Sequence, residues 1–411
     1  PRAVPPAPAA PVQPREAPAQ PAPTAAEFLS AEDLKECKGV VEMHPDGYAF
    51  LRTSGLLSSS ADIYVAAAQI KRFRLRSGDL ITGKVRPQRE GDKFGALLTV
   101  GTINGQLAES LANRPAFESM TAVYPNRPIN LTPADPRIRT TRILELIAPM
   151  GFGQRVLMLC QPDSGKAPFL RDLANAISKN HPDAAVMAVL LDENPEDVTL
   201  FRDAVTCQVY ATTFDQNPDN HLRLSELALE RAERLVEQGR DVVLLMDSLT
   251  RLSKACPLTA AQQGRAVPGS IIPSSLYRAK RVFGAARALR EGGSLTVIGT
   301  LNISTGNKID DSIVEEFREA ANSTIFLDNN LARVGVRPTI SFHQSGTRRQ
   351  DGFVQEGRRE GLRILRKELN AMSDSAAMKE LNDLADQTAD NDVLFTRLPE
   401  WMAIIEGKKG S

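Results

Sequence analysis

Apolar and polar positions change rhythm along this 411-residue chain. From Gly39 onward the segments GVVEMH, GYAFLR, ADIYV, LITGKVR and ALLTVGTI are short and largely alternating, and PDG, SGD and EGD punctuate them. A period of two between turn-forming residues predicts strands. Five of them within residues 39–104 predict a small antiparallel β-barrel, although any small β domain would share the pattern. From residue 141 to 405 the largely apolar, strand-like runs RVLMLC, AAVMAVLLD, DVVLLMDS, SLTVIGT and STIFLD alternate with amphipathic stretches such as PFLRDLANAIS and PEDVTLFRDAV. Apolar strands between amphipathic helices predict an α/β domain whose parallel sheet is covered on both faces. LRILRKELN and AMKELNDLADQ add helices near the C-terminus.

The flanks read differently. Residues 1–27 are almost wholly Pro and Ala, which favours extended backbone and builds no core, so a disordered tail is expected. SAEDLKEC, with Ser30 as a cap, predicts a short helical segment over residues 28–38. Residues 105–140 carry Pro and Asn with weak periodicity and read as a linker. The chain opens on Pro, so sequence upstream is expected.

Composition narrows the function less than the pattern does. With 50 basic and 50 acidic side chains, the net charge is zero, so any attraction to nucleic acid must come from a local surface. Cys37, Cys160, Cys207 and Cys256 form no CxxC pair, which argues against zinc or a disulfide framework and for a reducing, cytoplasmic setting. There is no run of 18 apolar residues, and so no membrane span is expected.

Two regions carry candidate chemistry. In the barrel segments Tyr48, Phe50, Tyr64 and Phe94 lie among Arg52, Lys71, Arg72, Lys84, Arg86, Arg89 and Lys93, and Tyr48 and Phe50 share a strand face. Rings that stack bases, interleaved with cations for phosphates, are the working parts of barrels that bind single strands. The same residues would serve equally well as an aromatic core beneath a solvated rim.

The second region is CQPDSGKAPFL, residues 160–170, between an apolar run and a helical one. A phosphate-binding loop reads G-x-x-x-x-G-K-[ST], with the hydroxyl on magnesium. Gly165 and Lys166 keep the turn and one cation, whereas Ala167 offers no oxygen, Pro168 no N–H, and Asp163 adds a negative charge. At an effective dielectric of about 20 and roughly 5 Å, a like-charge pair costs about 3 kcal/mol before screening. Gly-Lys alone would suit any strand-to-helix turn. Asp247, ending VVLLMD, stands where a carboxylate would reach magnesium through water, and Glu193 in LLDENPED stands where one would orient water. Strand tips meeting at one crevice are what an open parallel sheet offers a nucleotide, although each acid alone also reads as a helix cap.

With these residues in place, the chain from Gly39 to the C-terminal helices resembles the bacterial transcription termination factor Rho family. DGYAFLR, QIKRFRLRSGD, LLDENPEDV, RLVEQGRDVVLLMDSLTRL, KRVFGAARALREGGSLTVIGT, TGNKIDDSIVEEF and QSGTR carry the likeness. The resemblance implies an OB-fold, cold-shock-like RNA-binding barrel followed by a RecA-like P-loop ATPase domain, with ATP and Mg²⁺ as cofactors. Tyr48, Phe50, Arg52, Asp62, Tyr64, Asp92 and Phe94 match side chains that read pyrimidine-rich single-stranded RNA, and Arg86 is placed with them. Lys166, Glu193, Asp247 and Arg251 match phosphate-binding, water-activating, magnesium-associated and interfacial roles. Arg348 matches an arginine finger supplied to a neighbouring subunit. Lys308 matches a lysine of the central channel, as does Arg265 in the loop from Gly264 to Pro273.

The departures from the family gather around the triphosphate. Asp163 replaces lysine, Ala167 threonine and Asn194 arginine. Gly335 stands where a second interfacial arginine is expected, with Arg333 or Arg337 as substitutes. Metal binding then falls to Asp247. Two functions remain open. One is a termination factor that hydrolyses ATP and translocates 5′–3′ on RNA. The other is a ring, homohexameric or mixed with another Rho, that binds RNA with impaired hydrolysis and acts as a clamp or modulator. RNA polymerase is a candidate partner of either.

Overall fold

Alternation in the first region builds a closed sheet. In the computed structural model, which describes residues 34–86, 88, 92–108, 114–133, 135, 137–259 and 276–409, strand β1 (Lys35–Met43) pairs antiparallel with β2 (Ala49–Arg52) and with β4 (Leu80–Arg86). β3 (Ile63–Val65) pairs with β2 and, in parallel, with β5 (Gly95–Ile103), which returns to β4 and closes the barrel. Helix α1 (Ala67–Phe73) inserts between β3 and β4, and β6 (Gln106–Leu107) extends β5. The inward residues are aliphatic: Val41, Leu51, Ile63, Val65, Ile81 and Ile103 are buried together.

The helix expected over residues 28–38 is corrected in its described part, since Lys35–Lys38 belong to β1 and pair with Thr82–Val85. Four residues of helical spacing do not outweigh a strand partner that satisfies their backbone groups. The Pro/Ala tail, residues 1–27, and the loop containing Arg265 lie outside the described residues.

The second domain alternates strand and helix, as the apolar runs require. In chain order its elements are β7 (Ala122–Val123), α2 (Thr140–Ile147), β8 (Arg155–Cys160), α3 (Lys166–Asn180), β9 (Ala185–Glu193), α4 (Pro195–Ala204), β10 (Gln208–Thr213), α5 (Pro218–Val236) and β11 (Asp241–Asp247). There follow α6 (Leu249–Thr259), α7 (Tyr277–Gly284), β12 (Arg287–Leu289), β13 (Ser294–Asn302), α8 (Lys308–Arg318), β14 (Ser323–Leu327), α9 (Asn329–Arg333), β15 (Gly346–Thr347), α10 (Glu356–Leu369), α11 (Asp374–Asp386) and α12 (Asn391–Lys409). The strand order is β10-β9-β11-β13-β8-β14-β15, parallel from β10 to β14. One face is covered by α2, α3, α4, α10, α11 and α12, the other by α5 to α8. The phosphate loop, Glu193 and Asp247 therefore all leave the same carboxyl edge, the position an open sheet reserves for ligands.

Residues 105–140 do more than connect. β7 pairs with β12, Phe117 is buried in one core layer, and Ile129 and Leu131 are buried in the other. These anchors are irregularly spaced, so no periodicity shows them. The barrel packs on α5, where Gly78 has φ of +86° and a Cβ on it would lie 2.3 Å from the Glu230 carbonyl carbon. Arg231 Nη1 donates to the Gly78 carbonyl at 3.2 Å, fixing the two domains together.

Candidate nucleotide site and nucleic-acid interface

The turn between β8 and α3 keeps the backbone of a phosphate cradle. Asp163 has φ of +58° and Gly165 has φ of +82°. Glycine enters that region freely, and aspartate enters it more readily than most side chains do. A Cβ on Gly165 would also come within 2.4 Å of Arg337 Nη1. Thr339 donates to the Ser164 carbonyl at 2.5 Å, and Ser164 is buried with its own Oγ unpartnered among the described residues. Asp163, Ala167 and Pro168 are exposed.

The three strand ends converge on Lys166. Its Nζ donates to Asp247 Oδ1 at 2.6 Å and lies 3.5 Å from Glu193 Oε1. Thr300 Oγ1 donates to the same Asp247 oxygen at 2.7 Å. Arg251 pairs with Glu193 and donates to the Leu191 carbonyl at 3.0 Å. Burial alone would lower the Lys166 ammonium, but the Asp247 and Glu193 carboxylates outweigh it and hold the pKa above the usual lysine value. Burial, then the neighbouring Asp247 charge, raises the Glu193 carboxyl above the usual glutamate range. The Cys160 thiol just before the turn is pushed up to about 12 by burial, so it is no nucleophile.

These residues fit an anion better than they fit a metal. The turn presents the amino end of α3, where helix amides and dipole favour phosphate, and Lys166 stands beside it. Magnesium finds less. Asp247 Oδ1 is already occupied by two donors, and Ala167 presents a methyl group. Among the described residues no group of three or more His, Cys, Asp or Glu could hold a metal ion.

The other expected site residues lie apart. Arg348 follows β15, whose Thr347 pairs with Ser323 at the amino end of β14, so it sits at the sheet edge opposite Lys166. Within one chain it cannot reach the phosphate loop. Lys308 is exposed at the start of α8, beyond the carboxyl end of β13. Asn194 is the N-cap residue of α4 and donates to Asp197 at 2.9 Å. Gly335 is exposed with φ of +73°, while Arg337, rather than Arg333, is the arginine that approaches Gly165.

In the barrel the rings form a surface cluster. Centroid separations are 5.6 Å for Tyr48 and Phe50, 5.6 Å for Tyr48 and Tyr64, and 5.1 Å for Phe50 and Phe94. The aliphatic core beneath excludes all four, which decides the sequence ambiguity against an aromatic core. Arg52, only 6% exposed, pairs with Asp62 and donates to Glu42 Oε2 at 2.5 Å, and its guanidinium lies 5.2 Å from the Phe50 centroid. Arg86 pairs with Asp92 at 3.1 Å along one side.

Sequence reasoning missed Thr300, Ser164 and Glu42. The hydroxyl at the carboxyl end of SLTVIGT was the one available signal for Thr300; Ser164 and Glu42 had none, since both depend on contacts distant in sequence.

Comparison with known proteins agrees with both halves. Residues 37–109 match the family described as Rho termination factor, RNA-binding domain, and residues 140–347 match the ATP synthase alpha/beta family, nucleotide-binding domain. A prototypical ATPase from the type III secretion system of pathogenic bacteria shares the fold, with TM-score 0.53 and 23% identity over 61% of this chain and 70% of that one. Transcription termination factor Rho of Bacillus subtilis (strain 168) is 43% identical over 350 residues, 85% of this chain and 81% of its own length. Its counterpart in Escherichia coli (strain K12) is 39% identical over 361 residues, 87% of this chain and 86% of its own. An RNA-binding barrel joined to a RecA-like nucleotide-binding domain, matched across its length by such relatives, places this chain in the transcription termination factor Rho family.

Proposed function

We propose that this Rho-family chain forms a ring that holds single-stranded, pyrimidine-rich RNA while turning ATP over slowly. The observation that carries the reading is the closed contact of Lys166 with Asp247 and Glu193 beside a turn that supplies Asp163 and Ala167. The cation meant for phosphate is engaged by the two carboxylates meant for metal and water. When bound, ATP with Mg²⁺ would supply the phosphoryl group whose transfer drives translocation. In this chain Lys166 would hold the phosphates, Glu193 the water, and Asp247 what remains of the metal contact.

Arg348, set at the far edge of the sheet, supports a ring in which each subunit completes its neighbour's site. The half-buried rings of Tyr48, Phe50 and Phe94 with the exposed Tyr64, and the buried Arg52–Asp62 pair, support base stacking with edge recognition, since a rigidly held arginine and carboxylate present fixed donors and acceptors. ATP hydrolysis on poly(C) tests the proposal, together with the triple variant Asp163→Lys, Ala167→Thr, Pro168→Met. Slow turnover that rises in the variant is expected. Turnover by the natural chain at rates of about 1–100 s⁻¹, the range usual for kinases, overturns it.

A further inference from the structure

Helix α5 of the nucleotide-binding domain reaches into the face of the barrel. Arg223, in its second turn, lines the same open cleft as Phe50, Arg52, Asp62, Lys93 and Phe94. Glu42 on β1 joins the two domains there. Its Oε2 accepts from Arg52 Nε at 2.5 Å, and its Oε1 accepts from Arg223 Nη2 at 2.9 Å and Nε at 3.2 Å.

We infer that Arg223 is a backbone-phosphate contact for RNA lying in the barrel cleft, contributed by the neighbouring domain. This rests on the reading of the barrel as the RNA-binding face. The two arginines differ in what they have left to offer. Arg52 is buried and held from both sides by carboxylates, so its free edge can meet a base but not a phosphate outside the cleft. The Arg223 side chain is 41% exposed and spends its donors on a single oxygen, leaving Nη1 unused. Charge points the same way. Within the cleft the barrel's own Arg52 and Lys93 are balanced by Glu42 and Asp62, and Arg223 tips the balance toward the polyanion. Rings that stack bases fix nucleotides without neutralising them, so the cation beside them is the group that feels salt. Because Arg223 belongs to α5, RNA seated in the barrel also pulls directly on the nucleotide-binding domain.

The test is the binding of fluorescein-labelled oligo(C) to the full chain, followed by anisotropy between about 50 and about 200 mM salt. Arg223→Gln is expected to bind about fivefold more weakly at low salt, with the slope of log affinity against log salt shallower by about 0.7, one single-strand phosphate. Arg223→Lys keeps the slope. Glu42→Gln, which deletes the bridge but leaves Arg223 in place, keeps or steepens it. A wild-type slope in Arg223→Gln overturns the inference, as does a Glu42→Gln variant that reproduces the shallower slope, because Arg223 then only fastens the domains. Phe50→Ala separates the two levels: if it binds as tightly as the parent, the barrel reading itself fails, whatever Arg223 does.

Discussion

The Arg337 guanidinium lies directly over Gly165, with Nη1 only 2.4 Å from the position a Cβ would take. Arg337 is exposed, and its guanidinium has no hydrogen bond or ion pair among the described residues. It therefore stands as a spare cation at the amino end of α3, on the turn that carries the exposed Asp163. Arg337→Ala is expected to weaken binding of a fluorescent ATP analogue about tenfold, the scale of one charge-assisted hydrogen bond at an open site. The melting temperature should hardly move, since no partner is lost. Unchanged nucleotide affinity would leave Arg337 as surface cover.

Lys166 and Asp247 should be coupled in stability as well as in binding. Asp247 is 5% exposed, so removing Lys166 leaves a buried carboxylate facing Glu193 with Thr300 as its remaining donor. Lys166→Met is expected to cost about 3 kcal/mol, the low end for a broken buried pair because the lysine is itself partly exposed. Lys166→Met combined with Asp247→Asn should recover most of that loss. A double-mutant cycle in denaturant measures the coupling, and additive losses would show that the contact contributes little.

Asp163 separates charge from conformation. Its φ of +58° explains why this side chain, and not an arbitrary one, stands in the turn. Asp163→Asn keeps the backbone preference and removes the charge. ATP affinity is expected to rise several-fold at low salt, less than the full like-charge figure of about 3 kcal/mol because the residue is exposed and screened. The gain should shrink as salt increases. An equal gain at high salt would point to a conformational cause.

The sequence made the sheet legible because its strands are apolar on both faces, a pattern few alternatives produce. Glu193 and Asp247 were legible for a related reason, as charges at the ends of apolar runs, Glu193 together with Asp192 and Asp247 alone. The converse cases are contacts between distant segments. Arg223 reaches the barrel only because α5 packs beneath it, Thr300 reaches Asp247 only because β13 neighbours β11, and Lys35–Lys38 join a strand only because β4 is there to receive them. Local spacing carries no trace of such neighbours, which is also why Phe117 and Leu131 passed for parts of a linker.

Glu233 on α5 makes the stability of the chain depend on pH. It is 4% exposed, and burial, opposed mainly by Arg234 and Arg281 and assisted by Glu118 and Glu230, raises its carboxyl to about 7. A carboxyl that ionises later in the folded chain than its usual value of 4.5 gives a folded state that holds the proton more tightly. Stability is therefore lost as pH rises from 4.5 through about 7, and the loss is complete above that. Glu233→Gln removes the burden without stranding Arg234, which keeps Glu237 Oε1 at 3.0 Å. At about pH 8 the variant is expected to be more stable by about 3 kcal/mol, falling below about 1 kcal/mol near pH 5. Thermal or urea unfolding at the two pH values measures the difference. A variant less stable than the parent at pH 8 would mean that the Glu233–Arg234 bond outweighs the burial of the charge.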